Sequence, residues 1–110
     1  HFLDGRASLV IGTHTHVPTA DSRVLPGGTA FQTDAGMCGD YDSVIGMRKE
    51  ISVRRFAVRL PGERHATADG AGCACGVFVE TDPRSGLARR IAPIRVGVGL
   101  TETVPVLETA

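Results

Sequence analysis

Ala7-Ser8-Leu9-Val10-Ile11-Gly12-Thr13-His14-Thr15-His16 decides how this chain is read. Residues 7–13 form a continuous apolar run that ends in Gly-Thr. Short, β-rich and apolar on both faces, it predicts a buried strand rather than a helix. Pro18 stops regular structure just beyond it. His14 and His16 therefore sit where a strand runs into a loop, and two imidazoles one residue apart there can face one cavity. The C-terminal ends of strands are where open α/β sheets build their sites. Neutral imidazole is the commonest metal ligand among side chains, and binding weakens once pH falls below about 6.5. A catalytic zinc-type site takes about three protein ligands and a two-metal site takes more, so the pair alone is incomplete. Two solvent-facing loop histidines are the bland alternative. Thr13 and Thr15 are either hydroxyl partners that fix an imidazole tautomer or residues that suit extended backbone.

Outward from this stretch, Leu25-Pro26-Gly27-Gly28 is a turn signal and Thr29-Ala30-Phe31-Gln32-Thr33 a second strand. The two strands predict a hairpin with a long first connection. Residues 34–42 form a loop rich in Gly and Asp. Asp42 or Ser43 is placed to cap a short helix over residues 44–49. Residues 51–60 are ambiguous, because their alternation is imperfect and their β-branched content weakens a helix. Pro61-Gly62 ends that element and residues 62–72 read as loop. A strand over 74–81, a tight turn at Asp82-Pro83-Arg84-Ser85-Gly86 and a return strand over 87–96 follow. Residues 101–110 show no clear pattern and predict a loosely ordered tail. At the other end, His1 to Gly5 looks like the tail of a helix closed by Gly5, which suggests the C-terminal part of a longer chain.

The composition excludes several classes. The chain has 110 residues, 42% of them hydrophobic, with 12 Lys and Arg against 12 Asp and Glu and no formal net charge. That is one small domain without a nucleic-acid footprint. No apolar stretch reaches the ~20 residues that cross a bilayer, and no signal-peptide pattern is present, which leaves a cytoplasmic location by default. The three cysteines, Cys38, Cys73 and Cys75, are not a secreted disulfide framework. Cys73 and Cys75 lie in an apolar alternating run and read as small core residues.

Other polar residues carry two readings each. Asp34, Asp40 and Asp42 are candidates for a metal or a ribose, or else they are the Asp of turns and caps; the spacing is not that of an EF-hand. Tyr41 could stack on a base or pack an interface. His65 reads as a surface histidine, and Arg54-Arg55 with Arg48-Lys49 as a solvated face.

The longer string Val10-Ile11-Gly12-Thr13-His14-Thr15-His16-Val17-Pro18-Thr19-Ala20-Asp21 resembles the last metal motif of the calcineurin-like metallophosphoesterases, in the form found in the YmdB branch. The resemblance continues through Leu25 to Ala30, Thr33 to Gly39 and Tyr41 to Met47, and it includes Phe2-Leu3-Asp4-Gly5-Arg6. It is strong over residues 2–56 and looser to about residue 96. It implies an α/β fold: the C-terminal portion of a metallophosphoesterase-type β-sandwich flanked by helices, here mostly strands and hairpins. Residues 1–98 would be that portion and 99–110 a tail. It implies a phosphodiesterase that uses two divalent metals, iron or manganese, to activate water against phosphodiesters, notably 2′,3′-cyclic nucleotides. His14 resembles the ligand of one metal and His16 that of the other. The family's remaining ligands and its leaving-group histidine match no residue here, so no catalytic residue is expected in this chain, and alone it should bind metal poorly, lack turnover and expose a sheet edge. Self-association into a homo-oligomer stays open. An amidohydrolase, which also opens on H-x-H after a strand, would need strand–helix units that the sequence lacks. A non-catalytic β-rich interaction module is the reading from another class.

Overall fold

The computed structural model describes residues 1–59, 62 and 64–107. The apolar run forms β1 (Leu9–Ile11), and Ala30–Gln32 forms β3. These two strands pair in parallel, with Leu9 opposite Ala30 and Ile11 opposite Gln32, so they are not the hairpin that their order predicts. The hairpin partner of β3 is instead β2 (Arg23–Val24), which is antiparallel to it. The turn explains the difference. Leu25 donates its N–H to Thr29 O at 2.8 Å and Gly28 donates to Leu25 O at 2.9 Å, closing the chain on the two residues just before the turn. A tight turn joins only antiparallel neighbours, so the longer segment after β1 becomes a crossover and the strand order is β1-β3-β2. The central strand is accordingly the buried one: Thr29, Ala30 and Gln32 are fully covered, while β1 takes one edge.

The opening residues pin that turn. They form consecutive turns, with N–H groups of Asp4 and Arg6 bonded to the carbonyls of His1 and Leu3, rather than the tail of an α-helix. Gly5 does adopt the left-handed conformation. The Asp4 carboxylate accepts from Gly27 N at 2.7 Å and Thr29 N at 3.2 Å. The buried Thr29 hydroxyl donates to Ala7 O at 2.7 Å and accepts from Gly5 N at 2.8 Å.

The helix begins where the sequence places its end. α1 spans Lys49–Val58, and residues 44–47 are a tight turn. Ser43 is not a helix cap, because its hydroxyl accepts from Gly46 N at 2.9 Å and donates to Asp40 O. Ile45 and Gly46 both have positive φ, 49° and 93°, which ends any right-handed helix there. Glu50 in the first turn and Arg55 in the last complement the helix dipole, and Arg59 closes it in the left-handed region. Ile51 is the only buried residue of α1. The ambiguous stretch is thus helical to residue 58; Leu60, Pro61 and Glu63 lie outside the described residues.

The second hairpin forms as expected. β4 (Cys73–Thr81) pairs antiparallel with β5 (Ala88–Gly97), from Cys73–Gly97 to Thr81–Ala88. Asp82 sets the turn by accepting from Arg84 N at 2.7 Å and Arg89 at 3.1 Å. β5 leans on the first sheet, where Ala88 N donates to Gly28 O at 2.8 Å. Beyond it, Arg95 and Thr103 exchange two backbone hydrogen bonds and Arg90 donates to Val106 O at 2.6 Å, so residues 101–107 run tied to β5 although their sequence shows no pattern. Residues 108–110 lie outside the described residues. No helix among the described residues is long and apolar enough to cross a membrane.

Candidate metal centre

β1 delivers its C-terminal end to the site, and Gly12 lets it pass close to β3. A Cβ at Gly12 would sit 2.4 Å from Thr33 O, so the close approach requires glycine. The parallel pairing extends one step, with Ala35 N bonded to Gly12 O at 2.9 Å. His14 and His16 then emerge exposed and line one cavity of about 230 Å³ together with Thr13, Asp34, Gly36 and Met37. The structure therefore brings the two histidines to one place.

Asp34 holds their loop. Its Oδ2 accepts from His14 N at 2.7 Å, Thr15 N at 2.6 Å and Thr15 Oγ1 at 2.8 Å, and its Oδ1 accepts from Gly36 N at 2.9 Å. The side chain is 1% exposed. The backbone N–H groups of Gly36 and Thr15 hold its carboxyl far below the usual 3.8, against the opposing pull of burial. A carboxylate so occupied is a clamp on the loop rather than the metal or ribose contact that its residue type allows. Thr15 likewise serves the clamp and bonds neither imidazole.

His16 lies at φ 68°, and its Nδ1 is 2.7 Å from Ile45 O. A carbonyl only accepts, so this contact calls for a proton on Nδ1, which in the neutral ring leaves Nε2 as the nitrogen with the free lone pair. That is the arrangement that metal-binding imidazoles use. Met37, on the wall of the cavity, is fixed by Tyr41, whose hydroxyl donates to Met37 O at 2.7 Å and accepts from Met37 N at 2.8 Å. The same hydroxyl lies 3.3 Å from Cys75 Sγ, and burial pushes it above the usual tyrosine range. Tyr41 is thus a packing residue. Asp21 ties the loop after the histidines to the end of β3 by accepting from Thr33 Oγ1, Thr19 Oγ1 and Thr33 N. Those hydroxyl contacts lower its carboxyl to about 2.

The other candidates fall elsewhere. Asp40 accepts from Asp42 N and Gly70 N, and Asp42 pairs with Lys49 at 2.7 Å, so both act as turn and surface residues. They line a separate cleft with Arg48, Lys49 and Arg54, away from the histidines. His65 is an exposed loop residue. Cys73 is buried, as its alternating run predicts. Among the described residues no group of three or more His, Cys, Asp or Glu is placed to hold a metal ion. The two imidazoles suit a borderline divalent cation in donor type, and they do not complete a site. The sequence reading missed the clamp by Asp34 and the carbonyl of Ile45. The first was visible only as an Asp two residues before a glycine, and the second carried no signal, because a main-chain oxygen has no residue type.

Residues 1–94 match the family described as YmdB-like protein. The chain is 46% identical over 95 residues to the 2′,3′-cyclic-nucleotide 2′-phosphodiesterase of Bacillus subtilis (strain 168), covering 86% of this chain and 36% of the relative. It is 42% identical over 95 residues to a putative phosphatase/phosphodiesterase of Mycoplasma pneumoniae, covering 86% and 34%. Among solved structures, a hypothetical protein from Thermus thermophilus superposes with a TM-score of 0.79 at 41% identity, over 88% of this chain and 37% of the other. A novel phosphatase from Mycoplasma pneumoniae gives 0.78 at 38%, over 86% and 34%. The chain belongs to the YmdB-like family. It spans about a third of the length of the curated relatives it matches.

Proposed function

We propose that this chain supplies the two histidine ligands of a two-metal phosphodiesterase that acts on 2′,3′-cyclic nucleotides. His14 binds one metal and His16 the other, and the metals are iron or manganese. The observation that carries the reading is the paired placement of His14 and His16 in one cavity, with His16 Nδ1 bonded to Ile45 O, in a chain that resembles a protein named 2′,3′-cyclic-nucleotide 2′-phosphodiesterase. Both metals, when bound, supply Lewis-acid charge to the phosphate and activate water for its displacement.

The chain's own residues position these donors. Asp34 fixes the backbone at residues 14–15, Ile45 O orients the His16 ring, and Tyr41 holds Met37 against the cavity. The remaining ligands and the group that protonates the leaving oxygen match no residue of this chain; in the whole enzyme they come from the N-terminal portion, with which the two sheets form a β-sandwich flanked by helices. Alone, the chain binds metal weakly and turns nothing over. Three unpaired cysteines accord with a reducing cytoplasmic setting.

The test is a chimera of the Bacillus subtilis relative in which this chain replaces the matching segment. It should hydrolyse 2′,3′-cyclic AMP with added manganese, and both His14→Ala and His16→Ala should abolish turnover. A folded chimera whose rate is untouched by His14→Ala would refute the assignment.

A further inference from the structure

We infer that the Ile45 carbonyl is the positioning group of His16: it fixes the ring as the Nδ1–H tautomer and turns Nε2 into the cavity shared with His14. The inference rests on the metal reading above and adds a residue to it. Its ground is a coincidence in the backbone. Among the described residues three non-glycine positions have positive φ: His16, Ile45 and Arg59. Arg59 is accounted for as the residue that closes α1. The other two are the donor and the acceptor of one 2.7 Å hydrogen bond. Neither partner is comfortable there, a β-branched isoleucine least of all. A chance contact between an exposed ring and a loop would not need both backbones in the same rare region. Strain of this kind persists only where surrounding structure holds it.

The surroundings do hold it. Val44 and Met47 exchange both backbone hydrogen bonds at 2.9 Å around Ile45-Gly46, a two-residue turn with the positive φ pair that a type I′ turn requires. That turn is fastened from its far side, where Ala68 N donates to Gly46 O and Arg48 N to Ala66 O, each at 2.8 Å. On the near side Gly46 leaves room for Met37, whose sulfur would stand 2.9 Å from a Cβ there. The Ile45 carbonyl thus has a fixed direction, and the ring that meets it has one tautomer available. Presenting Nε2 by bonding Nδ1 to a carbonyl also raises the basicity of the ligand nitrogen.

Long-range proton–nitrogen NMR on the metal-free 110-residue chain, at a pH well above the imidazole range, reads the tautomer directly. His16 should be Nδ1–H, while His65, exposed on its loop, serves as the unconstrained comparison. Ile45→Pro, whose ring forbids positive φ, should move His16 to the mixture shown by His65. Ile45→Asn, which tolerates the left-handed region, should keep it Nδ1–H. Unchanged β4–β5 amide shifts certify that each variant is folded. A folded wild-type chain with His16 as Nε2–H, or an Ile45→Pro chain with His16 still Nδ1–H, overturns the inference. The metal reading is tested separately by manganese titration of the chimera, which should bind the metal and lose that binding in both His14→Ala and His16→Ala. An Nδ1–H ring in the wild-type chain together with a folded chimera that ignores manganese supports the positioning and removes the metal assignment.

Discussion

At the scale of single residues, the site is shaped by groups that hold the histidine loop and the His16 ring in place. Asp34 accepts four protein donors, three of them from His14 and Thr15. Replacing it with alanine takes the acceptor from three N–H groups and frees the histidine loop. In the chimera, Asp34→Ala should weaken metal binding ~10–100-fold, as loss of a ligand's supporting partner does, measured by manganese titration. Ile45 makes an opposite prediction. It is 57% exposed at φ 49°, so Ile45→Asn relieves backbone strain at little cost in packing and should raise unfolding stability by about 1 kcal/mol in a urea titration. Residue type announced the histidines and the glycine before them. It could not announce Ile45, where an isoleucine stands at a turn position that Asn or Gly usually fills.

Elements were legible in proportion to how local their causes are. The β4–β5 hairpin follows from alternation and from one Asp-Pro turn, and both lie within the segment. The strand β3 was legible, yet its hairpin partner was not, because β2 is two exposed residues, Arg23 and Val24, too short to carry an alternation. The helix was displaced by several residues because Ser43, which reads as a cap, bonds Gly46 and Asp40 instead. A cap and a turn use the same hydroxyl chemistry. Glycine positions at the ends of the long hairpin carry a firm prediction. A Cβ on Gly97, at φ 129°, would stand 2.3 Å from Gly72 O. Gly97→Ala should therefore cost about 2–3 kcal/mol in the same urea assay, since both backbones must shift.

Across the whole molecule, two carboxylates tie the histidine loop to the first sheet, and both are more acidic than an ordinary Asp. Asp21 is lowered from 3.8 to about 2. A carboxyl depressed on folding gives its full stabilisation above its unfolded value and loses it as pH falls through the folded value. The urea midpoint should hold steady down to about pH 4 and fall between there and pH 2. Asp21→Asn should flatten that fall. A slope unchanged in the variant would place the acid sensitivity elsewhere.

The parallel pairing of β1 with β3 also has a consequence in time. The β2–β3 turn closes over the five residues between Val24 and Ala30, whereas β1 must find β3 across the whole connection that holds His14 and His16. Contacts distant in sequence form slowly, because loop closure precedes their reward. The order of assembly is then turn first, crossover later. In pulse-labelled hydrogen exchange during refolding, the Leu25 and Gly28 amides should gain protection before those of Gly12 and Ala35. The histidine loop would be the last part of the first sheet to set, and His14 and His16 would take their places at the cavity only after the turn has closed.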